Sequence, residues 1–280
     1  MLSPMKSTTF FLAPVVLLLV VSLLSIALGG CAAESTLNDE NQVRATVTAL
    51  QQPGSAAGNL VLVWRFDIAE GWHLYWPGRN DSGFPPTVEL ALPAGWTAGE
   101  LQWPAPERHL SEGEILDHVY YGELVVLQEI TVPEAFDLSD GFEITGEVSW
   151  LACKGMCVPG DAVVAITEIA TARADFDQAQ ERLPRAWDQD ILQVRWDAAT
   201  LYVTGPEGAQ LTFIPDNDCG RLVDLIADGE GETLAVRFRP EAGVAGPARG
   251  LITIKISGAP LRSYFADLPA VSLVRDSPGG

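Results

Sequence analysis

The sequence predicts an all-β protein: an antiparallel β-sandwich followed by a second, smaller β-domain. Three observations carry that expectation. Short segments from Asn41 onward alternate apolar and polar residues, or are rich in β-branched and aromatic side chains, the period-2 pattern of half-buried strands. Clusters of Gly, Pro, Asn and Asp separate these segments. One stretch alone is convincingly helical, ADFDQAQERL at 174–183, and Pro184 ends it because a proline ring cannot continue a helix.

Taken in order, the chain first shows a charged start at Lys6, then the apolar run FFLAPVVLLLVVSLLSIALGG, then Cys31. This is the layout of a secretory signal. Leu28-Gly29-Gly30-Cys31 resembles the bacterial lipobox, in which the cysteine is lipidated and becomes the first mature residue. The run of roughly 20 residues is also long enough to remain as a membrane anchor. A lipid anchor, a retained span and an ordinary cleaved signal all place the folded part in the cell envelope, facing the periplasm. The expected organisation is a lipoprotein signal peptide over 1–30, a sandwich over 31–173, a short helical linker over 174–185 and the second β-domain over 186–280. In the sandwich the strands are VRATVTAL, LVLVWRFDI, TVELAL, LVVLQEITV, FEITGEVSWL and DAVVAITEIA. In the second domain they are ILQVRWDA, TLYVTG, AQLTFIP, TLAVRFRP and GLITIKISG, and no chemistry-bearing motif accompanies them.

Composition narrows the function classes. With 17 Lys+Arg against 37 Asp+Glu the formal net charge is −20, the opposite of what phosphate backbones attract. Nucleic acid is not an expected partner.

Cysteine usage points to chemistry. Beyond Cys31, three cysteines remain in an oxidising compartment: Cys153, Cys157 and Cys219. The strand FEITGEVSWLAC runs into Cys153, Gly155 supplies a turn, and Val158-Pro159 does not extend a helix. The pair straddles a tight loop at a strand end, where Cα atoms approach within the ~4.4–6.8 Å a disulfide needs. So small a ring would stabilise the fold by only on the order of 2 kcal/mol. Reversible exchange favours the opposite properties, since an accessible bridge in a small ring is easier to reduce. Lys154 lies between the cysteines, where its charge favours a thiolate, although a solvated surface lysine is the plainer reading. Two alternatives stay open: a static disulfide in a non-catalytic lipoprotein, and a Cu(I) site using the soft sulfurs with Met156, as in copper-handling envelope proteins. Cys219, in PDNDCG, has no evident partner and reads as a buried thiol, with an intermolecular disulfide as the alternative. Trp72, Tyr75, Trp76 and Trp96 could form a sugar-binding platform, but aromatic residues at strand positions are more often core.

Three separated blocks add a resemblance. GWHLYWPGRNDSGFPPTVELALPAGW at 71–96, ILDHVYYGELVVLQEITV at 115–132 and WLACKGMCVPG at 150–160 together resemble the N-terminal periplasmic domain of the DsbD and ScsB thiol:disulfide interchange proteins, over roughly residues 45–170. The resemblance implies an immunoglobulin-like sandwich and assigns Cys153 and Cys157 as the exchanging thiols, with Cys157 outward, as in a protein-disulfide reductase. It places an aromatic cap over the disulfide at Tyr120, ahead of Tyr121-Gly122. Its acidic pair before the cap is replaced by His118-Val119, with Asp117 one step further away. No cofactor or metal is implied. The implied partners are a membrane-embedded thiol reductase of the DsbD or CcdA kind as electron donor, and oxidised envelope proteins as clients.

Overall fold

A computed structural model describes residues 42–52 and 58–273; the signal segment and Cys31 lie outside them. Ten strands build the first body: β1 (Val43–Gln51), β2 (Leu60–Ile68), β3 (His73–Tyr75), β4 (Thr87–Ala91), β5 (Thr97–Gln102), β6 (Glu107–Ser111), β7 (Ile115–Tyr121), β8 (Glu123–Thr131), β9 (Ile144–Lys154) and β10 (Met156–Ile166). They form two antiparallel sheets. One has the order β1-β2-β8-β5, the other β10-β9-β3-β7-β6 with β4 also paired to β9. The core fills the space between them with Leu60, Leu62, Trp64 and Phe66 from β2 facing Leu74, Tyr120, Val148 and Trp150. This is the sandwich geometry that alternating strands produce when two inner faces interdigitate.

β2 is buried on both faces, which an exposed sandwich strand would not be. The cause is α1 (Ala174–Arg182), whose Phe176 and Ala179 cover Leu50, Val61, Val63, Val125 and Leu127 on the outer side of the first sheet. Arg65 pins the helix at its start, bonding Asp175 at 3.2 Å together with Asp67 at 2.9 Å and Glu123 at 2.7 Å. The stretch expected as a linker is thus a docked element, and Leu183-Pro184 leads from it into the second body.

That body contains β11 (Gln193–Asp197), β12 (Thr200–Thr204), β13 (Gln210–Pro215), α2 (Leu225–Asp228), β14 (Glu230–Gly231), β15 (Thr233–Arg237), β16 (Val244–Ala245), β17 (Ala248–Lys255), β18 (Arg262–Leu268) and β19 (Val271–Ser272). Sheets β11-β12-β15 and β14-β13-β17-β18 enclose their own core around Leu201, Phe213, Leu234, Phe238, Ile252 and Tyr264.

The two bodies are fastened to each other by main-chain acceptors. Arg79 donates to the carbonyls of Cys219 and Gly220, and its own N–H donates to Pro215 O at 3.1 Å. Asn217 donates back to Pro77 O at 3.0 Å. Arg108 reaches from β6 to the carbonyls of Leu225 and Ile226 in α2, and pairs with Glu230 at 3.1 Å. Burial pushes the Arg108 pKa down, against the pull of Glu230. Ile214 and Leu251 of the second body join the core of the first. His118 lies beside this joint, 1% exposed. Its Nδ1 is 2.6 Å from Arg79 O, its N–H donates to Asn80 Oδ1, and Trp76 meets its ring edge-on.

Two outcomes follow from this packing. Phe176→Ala empties the contact under α1 and is expected to cost about 3 kcal/mol in urea unfolding, whereas exposed Gln178→Ala stays within about 0.5 kcal/mol. Burial holds the His118 pKa at about 4 rather than 6.5. The unfolded chain therefore binds that proton more readily, and the stability involved is complete above about pH 6.5 and lost as pH falls toward 4, on the order of 3 kcal/mol. His118→Asn, which keeps a donor near Nδ1 but does not titrate, should reduce the slope of stability against pH between 7 and 4.5 in denaturant titrations, leaving the part that His73 contributes.

Candidate functional site: the Cys153–Cys157 row

The hairpin between β9 and β10 turns on one residue. Gly155 has φ 73°, in the left-handed region that glycine enters without a Cβ penalty. A Cβ there would meet nothing within 4 Å, so the requirement is torsional and not steric. The turn puts Cys153 and Cys157 directly opposite each other. They are joined as a disulfide with Cα atoms 4.1 Å apart. Their surroundings differ. Cys153 is 3% exposed, packed with Tyr75, Val119 and Leu151, while Cys157 is exposed on edge strand β10 and follows Met156, itself 68% exposed.

Residues opposite each other in adjacent antiparallel strands share a face of the sheet. Pairing of His73 with Cys153 on one side and with Tyr121 on the other extends the disulfide into a row, Cys157–Cys153–His73–Tyr121, across β10, β9, β3 and β7 on the outer face of the second sheet. Tyr75, Asp117 and His109 share that face through the pairs Tyr75↔Val119 and His109↔Asp117. His73 and His109 rings lie 4.8 Å apart, and Tyr121 Oη is 2.7 Å from His109 Nδ1.

Polar contacts connect this row to the exposed sulfur. Tyr75 Oη is 3.9 Å from Cys157 Sγ and 3.3 Å from His73 Nε2. It also shares a hydrogen bond with Ser82. Ser82 donates its hydroxyl and its N–H to the two oxygens of Asp117, at 2.6 and 2.8 Å. Gly83 then crosses the Tyr75 ring so closely, with φ 68°, that any Cβ would fall about 2.2 Å from ring carbons. Burial raises the Tyr75 pKa, with Ser82 opposing. Burial also holds His73 down at about 4, helped by His109 and opposed by Asp117. Both groups are therefore neutral near pH 7.

The residues expected from the sequence divide clearly. Cys153, Cys157, Tyr121 and Asp117 belong to the row and its support. Tyr120, expected as the cap, is not at the sulfurs. It lies in strand β7 with the parity of the inner face, stacks on Trp103 in the core and donates to Pro104 O at 2.7 Å. His118 has the same parity and belongs to the joint. Lys154 turns away from a thiolate-stabilising position, its Nζ donating to Glu70 O at 3.0 Å. Tyr75, Trp76 and Trp96 are buried, so they present no sugar platform. Cys219 is a free thiol, buried, its pKa raised by that burial. His73, Tyr75, Ser82 and His109 were not expected as site residues. The one hint was that GWHLYWPG carries part of the resemblance.

With this geometry in view, three comparisons bear on the chain. Residues 40–168 match the family model described as the N-terminal domain of thiol:disulfide interchange protein DsbD. The N-terminal periplasmic domain of ScsB from Proteus mirabilis matches with a TM-score of 0.57 and 18% identity, covering 87% of this chain and 99% of that one; the shared fold therefore takes in the second β-body. The reduced DsbD N-terminal domain from Neisseria meningitidis matches at TM-score 0.31 and 18% identity, covering 48% of this chain and 91% of that one. No curated protein matches. Residues 40–168, which hold both cysteines and the whole row beside them, are thus similar to the N-terminal domain of the thiol:disulfide interchange protein DsbD.

Proposed function

We propose that the protein is a thiol:disulfide interchange protein of the cell envelope, facing the periplasm, whose Cys153–Cys157 pair relays reducing equivalents from a membrane reductase to oxidised client proteins. The observation that carries this is the asymmetry of the bridge: one sulfur buried, the other exposed on an edge strand. An incoming thiolate reaches the exposed Cys157 sulfur. Attack there breaks the bridge, forms a mixed disulfide at Cys157 and releases Cys153 as the thiolate, which takes a proton. A second donor thiolate resolves the mixed disulfide, leaving both cysteines reduced and the donor oxidised. The Cys157 thiolate then attacks a client disulfide, expelling one client sulfur as a thiol. Cys153, deprotonated in turn, attacks Cys157 Sγ, reforms the bridge and releases the second client thiol. Two electrons pass to the client in each cycle.

The electron source in this reading is a membrane-embedded reductase of the DsbD or CcdA kind. Lipidation at Cys31 would hold the domain beside it. The DsbD_N match and the ScsB fold support the exchange chemistry and the envelope location.

Equilibration with glutathione or dithiothreitol buffers tests the reading. A working pair should give a potential between roughly −120 and −270 mV, the span of known oxidoreductases, whereas a static bridge falls below about −300 mV and overturns it. Cys157→Ala should abolish reduction of a model disulfide client, and thiol trapping in cells should show the pair reduced only when the membrane reductase is present.

A further inference from the structure

We propose that Tyr75 is a catalytic residue of the exchange: its phenol donates a hydrogen bond to the Cys157 sulfur and stabilises the thiolate that attacks. This rests on the exchange reading above and adds to it a group that touches a reacting atom.

The argument begins with what else could stabilise a thiolate there. A thiolate is favoured by nearby cations, by helix N-termini and by hydrogen-bond donors. The nearest lysine, Lys154, is turned to Glu70 O, and no helix begins at the hairpin. The titratable groups facing the site are His73 from β3, Asp117 and Tyr121 from β7, and Glu107 and His109 from β6. His73 is neutral near pH 7, and Asp117 opposes a second negative charge. What remains in contact with Cys157 Sγ is the Tyr75 hydroxyl, at 3.9 Å with sulfur as partner.

The same contacts orient that hydroxyl. Tyr75 is 2% exposed, and the Gly83 backbone lies across its ring, so the ring does not swing. His73 Nε2 and Ser82 both reach Tyr75 Oη. When His73 carries its proton on Nε2, that N–H fills an acceptor position on the phenol oxygen, and the phenol's own proton is shared between Cys157 Sγ and Ser82 Oγ, whose own proton goes to Asp117. Asp117 fixes Ser82 through two hydrogen bonds. Tyr75 stays protonated throughout, because its pKa is raised by burial. It therefore gives no proton away and changes no electron count. It lowers the energy of the charged sulfur, as donors to an ionised acceptor do more strongly than donors to a neutral one. His73 is a positioning residue that acts through Tyr75, while Ser82, held by Asp117, sets how far the phenol proton is drawn from sulfur.

The test measures the acidity of one thiol. In the full chain carrying Cys153→Ser, the rate of iodoacetamide alkylation at Cys157, read by peptide mass so that Cys219 does not contribute, is followed against pH with and without Tyr75→Phe. Phenylalanine keeps the ring and removes only the donor. The apparent pKa of Cys157 should rise by about one unit, so that alkylation at pH 7 slows about tenfold while the high-pH plateau is unchanged. Ser82→Ala removes the competing acceptor and should lower it by less than one unit, a second measurement that stands if Tyr75→Phe fails to fold. An unchanged Cys157 pKa in a folded Tyr75→Phe or Ser82→Ala protein overturns the proposal. Because this titration needs no exchange partner, its outcome is separate from that of the exchange reading. An inert Cys153–Cys157 bridge in dithiothreitol sinks the exchange reading whatever the Cys157 pKa, and a working bridge with an unmoved Cys157 pKa sinks only the role of Tyr75.

Discussion

A single strand pairing organises this molecule's chemistry. β3 is three residues long, yet it pairs with β7 along its whole length and meets β9 at one position, His73 opposite Cys153. Side chains alternate across a strand, so a slip of one residue would send the entire set to the other face. His73 and Tyr75 would then enter the core, and Leu74, fully buried between the sheets, would stand beside the sulfurs. The apolar demand of the core therefore fixes which polar groups reach the bridge. Leu74 and Tyr120 on the inner face hold His73, Tyr75 and Tyr121 on the outer one.

Much of this was legible before the structure. The alternating strands, the turn at Gly155 and the approach of Cys153 to Cys157 all follow from local pattern, since hairpin partners lie close in sequence. The neighbours of the pair were not legible. Cys153 and His73 are distant along the chain, and Tyr75 and Cys157 more so; their meeting depends on strand order, which periodicity does not encode. The misplacement of Tyr120 has the same root. Tyr120 and Tyr121 are adjacent aromatics, and choosing between them requires the parity of β7 against β3. The helix at 174–182 was recognisable as a helix, but its docking partner was not. Val61 and Val63 gave the sign, being apolar at positions where an uncovered sandwich strand would carry polar residues.

The second β-body carries no motif and reads as a spacer or docking module when its sequence is taken alone. Beside the Asn217 and Glu230 side chains and the packing of Ile214 and Leu251, its contacts are made through carbonyl oxygens of Pro215, Cys219, Gly220, Leu225 and Ile226, which accept from arginines of the first body or from their backbone. Such acceptors belong to every residue type, so the complementarity leaves no trace in composition. What the sequence does show is the other half, two arginines at 79 and 108 in a chain poor in basic residues. Burial of Arg108 makes its half of the joint demanding, since a cation withdrawn from water must keep its partners.

Arg79 is also the first residue of the segment that runs on through Asn80, Ser82 and Gly83 over the phenol ring beside the bridge. One end of that short span is clamped to the far body, the other lies against the exchanging centre. A chain shortened to the sandwich alone would leave the strap untethered at its root, its guanidinium without the carbonyls it now grips. The portion of the molecule with no sulfur chemistry of its own thus acts as the abutment from which the wall of the reactive cleft is hung.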